Sequence, residues 1–219
     1  MNTEPVKEQV AKVARKMGEL GLVSGTSGNV SARLPDGLMA ITPMGKSYEA
    51  MSVEDIVVVD GDLDPMEGEL MPSSESLMHV AIYAAREDVG GVVHTHAVYS
   101  SAAAAAGMAI PPIVDEMVVT LGGEVRVSEY APPASEEVAE RVCAALGNRD
   151  AALIRNHGAV AVGADPETAL AASVLTERAA QIFVLSSVIG RPATLPDEVV
   201  ASEAAIFEMR RAARREKMR

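Results

Sequence analysis

Val6, Val10, Val13, Met17 and Leu20 recur at three- and four-residue intervals, which predicts an amphipathic helix at the start of the chain. Thr3 stands where a cap is wanted, and Pro5 falls in the first turn. GLVSGTSGNVSARL (21–34) then reads as a Gly/Ser loop leading into an alternating strand. A PDG turn at 35–37 and the resumed strand LMAIT make this a hairpin. DIVVVDGD (55–62) is a further strand ending in a turn. SSESLMHVAIYAAR (73–86) is a helix with its serines at the N-terminal end and Leu77, Ile82 and the alanines inward. VGGVVHTHAV (89–98) is a strand, followed by an alanine-rich helix around 102–107, and EVRVSEY (124–130) is strand-like. SEEVAERVCAALGN (135–148) is a helix. Ser135 stands at its start and Glu136 and Glu137 in its first turn, but Val138 occupies the place where a capping box needs Glu or Gln. DAALIRNHGAVAVG (150–163) gives a buried strand pair or one bent strand. The long helix that follows ends at Gly190, with Pro192 beyond. A last helix spans about 197–219, and its basic end, MRRAARREKMR, is expected to be a solvated face. Strands interleaved with helices imply an α/β fold whose sheet is covered on both faces.

Composition narrows this. With 219 residues, 48% of them hydrophobic, the chain can bury one sizeable core, and no linker, repeat or low-complexity tract divides it, so a single domain over 1–219 is expected. No run of about 18 strongly apolar residues predicts a membrane span, and the N-terminus lacks the apolar centre of a signal peptide. Cys143 is the only cysteine, which excludes an intrachain disulfide and fits a reducing cytoplasm. A net charge of −12, no Trp and 3% aromatics argue against nucleic acid as a partner.

The strand at 89–98 holds two of the four histidines. In an extended strand His94 and His96 share a face, their Cα atoms roughly 6.6 Å apart, close enough for both rings to reach one metal ion. His157, directly before Gly158, is the candidate third ligand, and three His ligands leave a position open for substrate or water. Each histidine alone fits a hydrogen-bonded core residue equally well. In PSSES (72–76), Ser73 and Ser74 begin a helix whose free N–H groups could face an anion, with Glu75 in the first turn. The bland reading is an ordinary capped start. His79, one turn on, could be a fourth ligand, a partner of Glu75, or simply packed. SGTSGNVS (24–31) and TPMGK (42–46) could turn backbone N–H groups toward a phosphate, though they lack the Walker lysine and the dinucleotide spacing.

Taken together, GTSGNVSAR, ITPMG, PSSES, VVHTHAVYS and NHGAVAVG, in that order over about residues 5–200, resemble the class II aldolase family of the fuculose-phosphate aldolase type. The resemblance implies a three-layer α/β/α sandwich around a central, mostly antiparallel mixed sheet, and a homotetramer with sites at subunit interfaces. It implies Zn2+, with Mn2+ or Co2+ as substitutes, on His94, His96 and His157, and Glu75 as the catalytic acid/base. Gly28, Asn29, Gly45, Ser73 and Ser74 match positions lining a phosphate pocket. The implied reaction is reversible cleavage of a ketose 1-phosphate to dihydroxyacetone phosphate and a small aldehyde, zinc stabilising the enediolate. For that role burial should raise the pKa of Glu75. A methylthioribulose-1-phosphate dehydratase-like lyase and a decarboxylase use the same scaffold. An epimerase fits less well, since that branch has Asp at the place of Glu75. A catalytically silent binding module has no need of all four of these side chains. Two departures stand out. The phosphate turn commonly reads TPTG or TPSG, whereas Met44 here removes the hydroxyl, with Lys46 nearby as a possible substitute. Glu116, beside Asp115, stands where the family places a proton-carrying tyrosine, and the C-terminal tail has no tyrosine either.

Overall fold

The computed structural model describes residues 2–218. Helix α1 (Glu4–Glu19) buries Val10, Val13 and Met17, while Leu20 lies beyond its end and is exposed. Thr3 does not cap it: its hydroxyl donates instead to Glu67 Oε2 at 2.7 Å. Strands β1 (Asn29–Arg33) and β2 (Met39–Ile41) form the expected hairpin around the turn at 35–37, where Asp36 takes a left-handed backbone (φ 58°). Strand β3 (Val57–Val59) adds to β2, and a short exposed edge strand, β4 (Pro65–Glu67), adds to β3.

After helix α2 (Ser76–Ala85), β5 (Gly91–Thr95) returns antiparallel beside β1, and α3 (Val98–Ala106) follows. Helix α4 (Asp115–Leu121) is too short to announce itself by periodicity. The strand-like segment 124–130 shrinks to β6 (Arg126–Val127). In α5 (Glu136–Leu146), Ser135 accepts from the Val138 amide, so the serine caps without a box. The segment 150–163 is a true pair, β7 (Ala151–Ile154) and β8 (Gly158–Gly163). Helix α6 (Pro166–Ile189) opens with a capping box made by Asp165 and Thr168, a pairing that hydrophobic pattern alone does not reveal.

The sheet order is β4-β3-β2-β1-β5-β8-β7-β6, and among the described residues only β6–β7 is parallel. Side chains alternate across it. Val92, Val160 and Ile154 join Met78, Ile82, Val142 and Leu146 beneath α2 and α5. Val30, Ala32 and Val93 pack toward α1, and Leu153 and Ala161 pack with residues of α3, α4 and α6 on the same side. The result is the α/β/α sandwich with a mostly antiparallel mixed sheet. Over its most apolar 18 residues α6 has a mean hydropathy of 1.3, long and apolar enough to cross a membrane by length and composition. Here Ala169, Ala172, Ala179, Ala180 and Phe183 are buried where it crosses β5 and β8.

The last helix, α7 (Asp197–Lys217), departs from expectation. Residue 219, to which it was expected to run, lies outside the described residues. Its basic end is not simply solvated: Arg211 and Arg214 are turned inward onto Asp88 and Asp150. The partners lie far away in sequence, where local charge patterning cannot see them.

Candidate active site

Four side chains from three parts of the fold converge at one end of the sheet. His94 comes from β5, His96 from just beyond it, His157 from the β7–β8 turn, and Glu75 from the start of α2. One ligand atom from each lies within 4.8 Å of all the others. The strand ends at Thr95, so His96 does not reach the site by alternation. The chain has already turned toward α3, held by the His96 amide on the Leu22 carbonyl at 3.1 Å. His157 is aimed by the left-handed Asn156 (φ 57°) and by its own amide on the Ile154 carbonyl. Gly158 is required next to it, because a Cβ there would stand 2.2 Å from the Thr95 carbonyl oxygen. Glu75 occupies the cap position of α2 rather than its first turn, and its amide donates to Ser73 Oγ at 3.3 Å.

The rings are oriented for ligation. His94 is buried and donates its Nδ1–H to the Ala159 carbonyl at 2.9 Å, which leaves the Nε2 lone pair facing the cluster. His94 Nε2 lies 2.9 Å from His96 Nε2 and 3.1 Å from Glu75 Oε2, and His157 Nε2 lies 3.3 Å from Glu75 Oε1. Burial lowers His96 to about 4 and lowers His157 as well, so both are neutral donors of a lone pair near pH 7. Three imidazoles and a carboxylate are a donor set that suits a divalent ion such as zinc. Glu75 departs from expectation. Burial pushes its carboxyl up, but the His94 ring, followed by His157 and the Asn29 amide, outweighs this and holds it well below the usual carboxylate range.

Above the cluster opens a cleft of about 350 Å³. Gly28 and Asn29 form one wall with Thr26 and Ser27; Met44 and Gly45 form the next, and Ser73 and Ser74 the third. Pro133 and Ala134 close the fourth side. Thr26 and Ser27 belong to the loop read as able to face a phosphate, whereas Pro133 and Ala134 escaped the sequence reading because nothing in an isolated loop says which cavity it borders. Gly28 has φ +76°, and a Cβ there would stand 2.6 Å from the His94 carbonyl oxygen, so this turn needs glycine. Tyr48 donates its hydroxyl to the Gly28 carbonyl and pins the loop. The Met44 amide is committed to the Met71 carbonyl at 2.9 Å, and Met44 leaves its side chain exposed. Lys46 pairs with Asp55 at 3.0 Å and is no substitute for the missing hydroxyl. Asp115 and Glu116 begin α4 and are not among the residues lining this cleft. Asn29, expected to face phosphate, turns its amide onto Glu75 Oε2 at 2.9 Å. His79 is neither a ligand nor a direct partner of Glu75: it bonds to Asn29.

Residues 8–184 match the family model described as Class II Aldolase and Adducin N-terminal domain. The chain is 34% identical over 203 residues to a 5-deoxy-D-ribulose 1-phosphate aldolase of Bacillus thuringiensis, covering 92% of this chain and 95% of that one. It is 37% identical over 202 residues to the L-fuculose phosphate aldolase of Escherichia coli K12, covering 92% and 93%. A solved structure of an L-fuculose 1-phosphate aldolase superposes with a TM-score of 0.90 at 34% identity, covering 95% of this chain and 98% of that one.

Proposed function

Because the chain belongs to the class II aldolase family, we propose that it is a divalent-metal-dependent lyase that reversibly cleaves a ketose 1-phosphate to dihydroxyacetone phosphate and a small aldehyde. The observation that carries the reading is the convergence of three imidazole lone pairs and one carboxylate at the floor of a glycine- and serine-walled cleft. His94, His96 and His157 would hold the metal, with zinc first and manganese or cobalt as substitutes. A bound divalent ion supplies Lewis-acid stabilisation of the negative charge that carbon–carbon cleavage leaves next to a carbonyl.

The other steps belong to the chain. Glu75 returns a proton to the carbon beside the carbonyl in cleavage and removes it in condensation. An ordinary carboxylate is ionised at neutral pH, the form needed to take a proton from dihydroxyacetone phosphate. Gly28, Gly45, Ser73 and Ser74 would hold the phosphate and so fix the reacting carbons against Glu75. Pro133, Ala134 and Met44 give the cleft an apolar side, which suits an aldehyde ending in a methyl group, as the 5-deoxy substrate named for the Bacillus relative does.

Met44 favours a second reading, in which the substrate lacks phosphate and the scaffold serves a decarboxylase. A homotetramer is part of the proposal, supported by apolar side chains exposed beside the site and at the end of α6: Val98, Val188 and Ile189. A cytoplasmic setting is also part of it, supported by the lone cysteine.

The test is a paired assay. Metal-loaded protein is incubated with dihydroxyacetone phosphate and a panel of aldehydes, then with unphosphorylated dihydroxyacetone, and products are read by mass spectrometry with an EDTA control. Chelator-sensitive condensation with the phosphorylated donor is expected. Condensation only with the unphosphorylated donor means an aldolase whose phosphate pocket has been repurposed. No condensation despite bound metal removes the aldolase and favours the second reading.

A further inference from the structure

Behind Glu75 runs a hydrogen-bonded chain that enters the protein and never reaches solvent. Asn29, Ser31, His79 and Tyr83 are all buried, His79 and Ser31 completely. Asn29 and Ser31 project from β1, while Glu75, His79 and Tyr83 recur every four residues at the start and along one face of α2. The contacts are Glu75 Oε2 to Asn29 Nδ2 at 2.9 Å, Asn29 Oδ1 to His79 Nε2 at 2.5 Å, His79 Nδ1 to Ser31 Oγ at 2.6 Å and Ser31 Oγ to Tyr83 Oη at 2.8 Å.

With Glu75 ionised and the His79 ring neutral, its pKa pushed down to about 3 by burial, only one arrangement of protons satisfies every link. An ionised carboxylate accepts and cannot donate, so Asn29 must present its NH2 to Glu75. Its carbonyl oxygen therefore faces His79, which must carry its proton on Nε2. A neutral ring protonated there offers a lone pair at Nδ1, so Ser31 donates to it and accepts in turn from Tyr83. Rotating the Asn29 amide would set its oxygen against the carboxylate and its NH2 against an N–H. His79 forbids that rotation.

We propose that His79 is a positioning residue. By locking the Asn29 amide it ties down Oε2 of Glu75 and leaves Oε1 to exchange a proton with substrate. This explains why a helix packed among apolar side chains carries a fully buried histidine with both ring nitrogens bonded. The role rests on the aldolase reading of the site, in which Glu75 is the group that moves the proton.

Two variants separate positioning from packing. In H79Q the amide nitrogen falls where Nε2 was and keeps the donor to Asn29. In H79N the amide reaches only the Nδ1 place, so Ser31 keeps a partner and Asn29 loses its own. The readout is solvent-deuterium exchange into dihydroxyacetone phosphate by zinc-loaded protein without aldehyde, with metal content measured alongside. The expected result is that H79N binds zinc as wild type does, keeps its KM, and loses kcat about 10–100-fold, the usual cost of an outer hydrogen-bond partner. H79Q should keep most of the wild-type rate. Equal rates for H79N and H79Q would overturn the proposal. Wild-type protein that exchanges no deuterium would instead refute the aldolase reading. The tautomer of His79 in the zinc-loaded wild type, read from ring ¹⁵N shifts, decides independently of activity and of how the variants fold: Nε2–H supports the chain, and Nδ1–H overturns it.

Discussion

Strands β5 and β7 run in the same direction and carry polar clusters at both ends. Asp88 and Asp150 precede them, and at that end the two carboxylates meet Arg86 and Arg214 at 2.6–3.3 Å. Arg211 approaches Asp88 at 3.5 Å and pairs with Glu208 at 2.9 Å, so three guanidinium groups face three carboxylates. Roughly 20 Å away along β5, at about 3.3 Å per residue, stand Glu75, His94, His96 and His157. There, nothing cancels. Among the described residues the ion-pair partners of Glu75 are His94 and His157 alone, and the lone pairs all turn inward on one point. A buried cluster whose charges cancel is a clasp that fixes α7 to the sheet. A half-buried cluster made of acceptors is incomplete without a cation, and that asymmetry distinguishes the proposed functional end of the sheet from the structural one.

The comparison breaks most visibly at the functional end. E75Q keeps the shape of the carboxylate and removes its proton chemistry, so kcat should fall by about 10²–10⁴-fold, the range for general acid–base groups. Thermal unfolding should show no loss of stability, since Glu75 belongs to no clasp. A comparable loss of stability in E75Q and in a clasp variant would erase the distinction between the two ends.

At the structural end the expected pattern reverses. D88N leaves Arg86 and Arg214 buried against a neutral amide, which should cost about 3–5 kcal/mol. For a chain of this size that lowers Tm by about 6–20 °C. Activity per folded molecule should be unchanged, because the variant touches the opposite end of β5. Calorimetry beside the exchange assay checks both halves.

Acid sharpens the same contrast by a smaller amount. Burial pushes the Asp88 carboxyl up, but Arg86 and then Arg214 outweigh it and hold it well below the ordinary carboxylate range. A depressed native pKa stabilises fully above the unfolded value near 4, and the contribution is lost as pH falls toward the native value, because the unfolded chain binds the proton first. Wild-type Tm should therefore fall more between pH 5 and 3 than that of D88N. Parallel curves would mean that Asp88 does not carry the clasp.

What could be read from the sequence divides along the same line. The hairpin, α1, α5, α6 and the pair of strands around His157 follow from local periodicity and turn residues. The three histidines stood out as unusual side chains beside apolar runs, whereas Glu75, in the polar stretch PSSES, was picked out by the family resemblance alone. Pattern failed where an outcome depends on distant partners. Arg214 looks solvated until Asp88, 126 residues earlier, is brought beside it. His79 reads as a ligand, a partner of Glu75 or a packed residue until β1 lays Asn29 against it. Alternation places His94 and His96 on one face but does not say that the strand stops at Thr95, and the short β4 and α4 have too few residues for any period to register.

The smallest expected effect bears on what the functional end binds. Met44 lines the cleft with its side chain exposed and its amide already spent on Met71. M44T restores a hydroxyl at the turn while leaving that backbone bond in place. If the cleft holds a phosphate, one added hydrogen bond should lower the KM for dihydroxyacetone phosphate by about two- to tenfold, as expected for a net gain of about 0.5–1.5 kcal/mol. The KM for the unphosphorylated ketone should not improve. Should M44T raise KM for the phosphorylated donor instead, the methionine is a substrate contact rather than a missing phosphate ligand, and the decarboxylase reading gains what the phosphate role of this turn loses.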